Sequence, residues 1–108
     1  TAMISIEFET PPETKDILDA LVKFSGKPQA LGLPTAPPQP IVYLDDEYRP
    51  QPRLDVDRGQ GMTVSIGRLR PCPVLHHKFI ALGHNTIRGA AGAAILNGEL
   101  MAATGLLD

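Results

Sequence analysis

The amino-acid sequence predicts an α+β fold: a mixed, mainly antiparallel sheet of about four strands with two helices. At the N-terminus apolar residues alternate with polar ones, as in a half-buried strand, and helical spacing follows directly. Further strand patterns lie beyond a proline-rich middle section, and the last twenty residues again favour a helix. We expect one domain over residues 1–108, or a piece of a larger protein.

The first strand is predicted over residues 2–8, with its carboxylates facing water. A helix follows, for which Thr10 and Glu13 have capping-box spacing, and prolines are tolerated in its first turn. Gly26 stands where a left-handed residue would end this helix. Its apolar residues recur at helical spacing: Ile17, Leu18, Leu21, Val22 and Phe24.

Residues 27–61 form a proline-rich section, in which only residues 40–44 are typical of a strand. Seven of the eleven prolines of the chain lie between Pro28 and Pro52, and eight of the fourteen residues in 45–58 are charged. A disordered linker is one alternative. The interleaved apolar residues and mixed charges favour an ordered segment, a type that often binds ligands or forms interfaces.

The remaining pattern predicts two strands and a second helix. Residues 62–66 alternate after a glycine-containing turn, and residues 79–82 are continuously apolar, as in a strand buried on both faces. Asn85 or Thr86 is expected to cap the final helix. This helix contains the small-residue run 89–94, although each interior glycine costs about 1 kcal/mol relative to alanine. We therefore expect another backbone or a ligand to approach it closely.

Composition excludes several classes of function. A net charge of −2 gives no electrostatic reason for nucleic-acid binding, and no apolar stretch approaches the roughly 20 residues that span a bilayer. The single cysteine cannot form an internal disulfide, and no secretion signal is present, so a cytoplasmic protein is expected. The chain starts within a predicted strand, which suggests a piece cut from a longer chain. A trimmed mature terminus is the alternative.

Few residues suggest chemistry. Cys72 lies between two prolines with no evident source of a lowered pKa, so we expect no catalytic role. His76 and His77 are neighbours that would point to opposite faces of a strand, which argues against a metal site. Residues 45–47 are predicted to be a solvated turn. There is no GxGxxG or P-loop pattern for a nucleotide.

The segment 83–86 is the strongest local candidate, because it joins the carboxyl end of a buried strand to a helix. Such junctions hold polar ligands in many α/β enzymes. From the residues alone, Asn85 is either a simple helix cap or a ligand contact.

Four blocks together resemble the archaeal and fungal branch of the aspartate-semialdehyde dehydrogenases. They are residues 33–40 (LPTAPPQP), 49–55 (RPQPRLD), 61–70 (GMTVSIGRLR) and 78–92 (KFIALGHNTIRGAAG). The resemblance implies an oligomeric two-domain enzyme, with an N-terminal Rossmann domain that binds NADP and a C-terminal domain for substrate groups and dimerisation. Such enzymes reduce L-aspartyl 4-phosphate to L-aspartate 4-semialdehyde through a cysteine thiolate and a histidine acid/base. The product feeds lysine, threonine, methionine and isoleucine synthesis.

The resemblance also implies which functional residues this chain holds. The family's nucleotide-binding glycines, catalytic cysteine, substrate-binding arginine and catalytic histidine match positions upstream of Thr1. Neither Cys72 nor His84 matches a catalytic position, so no catalytic residue and no metal ligand is predicted. Asn85 resembles a late NADP contact of the family, and the final helix, 86–104, is expected to dock on the Rossmann domain. A non-enzymatic dimerisation module that keeps only the fold is the alternative.

Overall fold

The computed structural model describes residues 1–107. Its elements, in chain order, are β1 (Ala2–Ile6), α1 (Thr14–Lys23), α2 (Lys27–Ala30), β2 (Ile41–Leu44), α3 (Pro52–Asp55), β3 (Val64–Pro71), β4 (His77–Leu82), a π-helical turn (Ile87–Ala91) and α4 (Gly92–Ala103). The strands form one sheet in the order β1-β4-β3-β2. Strand β4 pairs antiparallel with β1 and β3, whereas β2 and β3 are parallel. The predicted mixed, mainly antiparallel α+β fold is confirmed, and two four-residue helices are added to the two long ones.

One face of the sheet carries α1. Because Ile4 pairs with Phe79 and side chains alternate along a strand, Ile4 and Ile6 of β1 share this face with Phe79 of β4. The helix contacts the face at its first residue, where Thr14 Oγ1 lies 3.2 Å from His77 Nε2. The apolar face predicted for α1 is confirmed for Ile17 and Leu21, which line a groove against the sheet.

Both predicted ends of α1 are wrong. The helix begins at Thr14 with Glu13 as its cap, and no side chain caps it, so there is no capping box from Thr10. A residue that precedes proline avoids the helical region, so two consecutive prolines keep the chain extended until Pro12. Gly26 has φ −113° and is not left-handed; instead it precedes α2, because the extended Phe24 has already ended α1.

The proline-rich section is ordered, as predicted, because side chains tie it to the rest of the domain. Thr35 donates its backbone N–H to a carboxylate oxygen of Glu99 in α4 at 2.9 Å, and its hydroxyl donates to the other oxygen. The Thr63 hydroxyl donates to the Gln39 carbonyl oxygen at 2.8 Å. These bonds satisfy backbone groups that the prolines leave without a regular partner.

A buried carboxylate organises the charged part of this section. Asp55 is 1% exposed and accepts hydrogen bonds from Arg49 Nε at 2.7 Å, the Gln51 N–H at 2.8 Å and Arg58 Nε at 3.0 Å. The Arg49 guanidinium holds the pKa of the Asp55 carboxyl well below its usual range. Residues 45–47 are exposed, which confirms the predicted solvated turn.

This section then crosses strand β3 at Gly67. A Cβ at that position would overlap the carbonyl oxygen of Arg49 and would lie 2.8 Å from Cδ of Pro50. The Arg49-Pro50 peptide, which is cis, therefore rests directly on the strand. Only a residue without a side chain allows this approach.

The apolar core is small and lies around β3 and β4. Its buried members are Met62, Ile66, Leu82 and Leu96. The prediction of a strand buried on both faces at residues 79–82 is wrong in part: within this chain only Leu82 is buried, and the other three residues are half-buried. Among residues 1–107, no helix has the length and apolar character that crossing a bilayer requires.

Candidate functional site

The candidate site is the turn that joins β4 to the last helix. Leu82 anchors its start in the core. The chain then enters a π-helical turn, in which Gly89 N donates to the His84 carbonyl oxygen and Ala91 N to that of Thr86, both at 3.0 Å. Such wide turns are uncommon and occur frequently at functional sites.

Thr86, one of the two predicted caps, does stand at the N-cap position, but the prediction that its side chain or that of Asn85 caps the helix is wrong. Neither side chain accepts a hydrogen bond from the turn, whereas His84 Nδ1 accepts from Ile87 N at 3.1 Å. An N-cap side chain ordinarily bonds an N–H two or three residues ahead. Because the imidazole stands three residues before Ile87, it takes this role. No sequence pattern marks His84 for this role, although it lies within the candidate segment 83–86.

Asn85 is exposed, and its side chain has no hydrogen-bond partner among the described residues. A primary amide offers two donors and one carbonyl acceptor, so it suits a ligand that has both hydroxyl and carboxamide groups. With capping assigned to His84, the simple-cap interpretation of Asn85 no longer applies. The ligand contact stays a prediction.

The small residues of the last helix fall into two groups. Gly92 is buried, and a Cβ there would lie 2.5 Å from Met62 Sδ and 2.9 Å from the Ile87 carbonyl oxygen. A close approach is therefore present at Gly92, but the neighbours are the Met62 side chain and the preceding turn of the same helix, not the other backbone or ligand that was expected. Ala90 and Ala94 are exposed, and Ile95 is 58% exposed. Docking of this exposed surface on a nucleotide-binding domain stays a prediction.

An open cleft of about 480 Å³ lies beside the turn, between it and the proline-rich section. Asn85 does not line it; its walls include Pro34, Thr35, Gln60, Met62, Ile87 and Gly92. The cleft and the exposed amide are therefore separate features.

Cys72 lies in the turn before β4. The backbone N–H of Leu75, followed by that of Val74, lowers the pKa of its thiol. Peptide N–H groups directed at a sulfur leave no pattern in sequence, so this cause of a lowered pKa is not evident there; the absence of a catalytic role for Cys72 stays a prediction. Among the described residues, however, neither neighbouring imidazole bonds the thiol; only the Cys72 N–H reaches His76, donating to its carbonyl oxygen.

The paired histidines have separate partners. His76 Nδ1 accepts the Phe8 N–H at 2.8 Å, and His77 Nε2 lies near Thr14. Both rings contact the Phe8 ring, one stacked and one edge-on, because His76 precedes β4 and does not follow strand alternation. Among residues 1–107, no three potential ligands cluster as a metal site would need.

Comparison with known proteins identifies the domain. Residues 1–88 match the family model described as the semialdehyde dehydrogenase dimerisation domain. The chain is 47% identical to the aspartate-semialdehyde dehydrogenase of Methanothermobacter thermautotrophicus, with 94% of this chain and 30% of that protein covered. It is 43% identical to that of Schizosaccharomyces pombe, with 96% and 30% covered. A malonyl CoA reductase (NADP) of Metallosphaera sedula is 37% identical, with 95% and 29% covered.

A solved structure has the same fold. The aspartate semialdehyde dehydrogenase of Candida albicans with NADP superposes with a TM-score of 0.86 at 42% identity, covering 96% of this chain and 30% of that one. The chain thus spans about 30% of the length of these relatives. The family model identifies residues 1–88 as a dimerisation domain, and the superposition shows the same α+β fold in the solved relative. The chain therefore belongs to the semialdehyde dehydrogenase family, and its residues 1–88 correspond to the dimerisation domain of that family.

Proposed function

We propose that this chain is the C-terminal domain of an NADP-dependent aspartate-semialdehyde dehydrogenase. The complete enzyme would reduce L-aspartyl 4-phosphate to L-aspartate 4-semialdehyde, with NADPH supplying the hydride. Identities of 47% and 43% to archaeal and fungal enzymes of that name, over nearly the whole chain, carry the proposal. The chain itself would hold no catalytic residue. Its roles would be subunit association and one cofactor contact.

The cofactor contact is proposed for Asn85. Its amide is exposed, lacks a partner among residues 1–107 and lies beside a π-helical turn. These properties fit a carboxamide or a ribose hydroxyl of NADP, either of which can exchange hydrogen bonds with an amide. Most of the nucleotide would be held by a Rossmann domain, on which the exposed surface of α4 would dock.

A reductase acting on malonyl-CoA is the second candidate, favoured by the relative from Metallosphaera sedula. Its identity, 37%, is lower than that of the two aspartate-semialdehyde dehydrogenases. Both activities can be assayed on the full-length protein: phosphate-dependent NADPH formation from aspartate semialdehyde, and NADPH oxidation by malonyl-CoA. We expect the first. Turnover of malonyl-CoA alone would reverse the assignment.

The Asn85 contact is tested in the full-length enzyme by Asn85→Asp and Asn85→Ala. Both should weaken NADP binding, and Asn85→Asp by about tenfold or more, or roughly 1.4 kcal/mol, because donors are lost and negative charge is added. The melting temperature should barely change, since this side chain makes no bond within the domain. Unchanged NADP affinity in both variants, measured by titration calorimetry, would remove the assigned contact.

The 108-residue chain alone should show neither activity. The same two assays measure this, with the full-length enzyme as the positive control. Turnover that Cys72→Ser abolishes would contradict the assignment, because it would make Cys72 the nucleophile.

A further inference from the structure

Among residues 1–107, one side chain accepts a hydrogen bond from the backbone of the turn after β4, and this bond defines the tautomer of its ring. Ile87 N donates to His84 Nδ1 at 3.1 Å, and Thr86 Oγ1 lies 3.3 Å from the same nitrogen. A backbone N–H can only donate, so Nδ1 must be unprotonated. The neutral ring therefore carries its proton on Nε2.

His84 also binds the turn through its main chain. Its carbonyl oxygen accepts from Gly89 N at 3.0 Å. His84, the residue immediately before Asn85, therefore binds the π-helical turn at two points, through its ring and through its carbonyl oxygen. Asn85 itself is exposed and makes no side-chain bond in the domain, so nothing of its own holds the amide in place.

We infer that His84 is a positioning residue, which holds Asn85 in the orientation that binds the cofactor. This inference rests on the proposed function, because it needs an NADP contact at Asn85. Without the imidazole, Ile87 N loses its acceptor and the turn can adopt other conformations. A ligand must then select the competent one, which lowers the apparent affinity.

The test uses the full-length enzyme and NADP as the probe. His84→Ala should weaken NADP binding about fivefold, the equivalent of a lost cap bond. His84→Asn should restore affinity to within about twofold, because its Oδ1 occupies nearly the position of Nδ1 and can accept the Ile87 N–H. An unchanged affinity in His84→Ala, or no rescue by His84→Asn, would overturn the inference.

A double-mutant cycle separates this inference from the proposal on which it rests. If His84 acts through Asn85, His84→Ala should have little further effect in an Asn85→Ala background. Additive effects would mean that His84 acts independently of Asn85, and would overturn the positioning role. If Asn85→Ala alone has no effect, the proposed contact fails first. If Asn85→Ala weakens binding but His84→Ala does not, only this inference fails.

A spectroscopic readout covers the case in which His84→Ala is poorly folded. In the full-length enzyme labelled with ¹⁵N-histidine, the signals that disappear in His84→Asn belong to His84. At neutral pH they should show an unprotonated Nδ1 and a protonated Nε2. The opposite tautomer is incompatible with the bond from Ile87 N and would contradict the assigned role.

Discussion

The proline-rich section, residues 27–61, and the C-terminal section, residues 83–107, differ in how firmly they are attached to the domain. The difference is the opposite of what their secondary structure suggests. The first has little regular structure, yet bonds from Asp55 and Thr35 tie it to itself and to α4. The second contains the longest helix, yet of the residues in α4 only Gly92 and Leu96 are buried. Regular secondary structure and integration into the domain are therefore independent properties. A helix that is apolar on most sides needs a partner, whereas an irregular segment with satisfied polar groups does not.

Asp55→Ala should have the largest effect, because it would remove the organising centre of the proline-rich section. The variant leaves two guanidinium groups without their carboxylate and should lower the free energy of unfolding by about 3 kcal/mol. Urea titration of the 108-residue chain measures this. Asp57→Ala, an exposed neighbour, should stay within about 0.5 kcal/mol of the wild type. Equal effects of both substitutions would mean that the cluster does not hold the section.

The pH dependence of the same cluster has a defined sign. The pKa of Asp55 is lowered by Arg49, so its ionisation stabilises the fold above the unfolded pKa of about 3.9. That contribution is lost as the pH falls from there through the lowered pKa. The stability difference between the wild type and Asp55→Asn should therefore be constant from pH 8 to 5 and shrink only below about pH 4. A difference that already declines at pH 6 would exclude Asp55 as its source.

Gly92→Val should come next, at about 2 kcal/mol, because the added side chain would press on Met62 and on the Ile87 carbonyl oxygen. Gly98→Val is the matched control, since it makes the same change in the same helix, where nothing lies within 4 Å. Both variants replace glycine by valine in helical backbone, so the excess loss of stability in Gly92→Val in urea titration reports the clash. Indistinguishable variants would show that Gly92 is not closely packed.

Thr35→Val should cost about 1 kcal/mol, because it removes the hydroxyl that donates to Glu99 while keeping the backbone bond. Thr10→Val, at an exposed site, serves as the control. If the two sections are joined through this bond, amide hydrogen exchange should speed up in α4 and in residues 33–37 together. Faster exchange in only one of them would argue that the sections are independent.

Ile95→Gln should have the smallest effect on stability, within about 0.5 kcal/mol, because this side chain is 58% exposed in the domain. Its effect on association should be larger. The 108-residue chain should self-associate at tens of micromolar through exposed apolar side chains, and the substitution should reduce this in sedimentation experiments. A wild-type chain that sediments as a clean monomer would weaken the proposal that α4 docks on another domain.

The fold was largely predictable from sequence because strand alternation and helical spacing are local signals. The alternation in residues 2–8 and the helical spacing in α1 correctly predict which side chains lie between the sheet and this helix. The ends of α1 were not predicted, because two consecutive prolines overrode the capping pattern. In the site, the sequence points to Asn85 either as a helix cap or as a ligand contact; the capping role belongs to His84, and the ligand contact stays a prediction. Which of three adjacent polar residues caps a turn depends on its width, and a π-helical turn has no periodic signature. The burial of Asp55 was missed because a carboxylate among eight charged residues resembles a solvated one.

Gly67 limits how freely the domain can vary in sequence. The carbonyl oxygen of Arg49 occupies the volume that any side chain at this position would need. In a saturation library screened for folded protein, position 67 should return glycine almost exclusively. Position 98, which faces open space within this chain, should accept most residues. A redesign of the domain must therefore keep glycine at position 67, because the path of the loop that contains Arg49 and Pro50 depends on it.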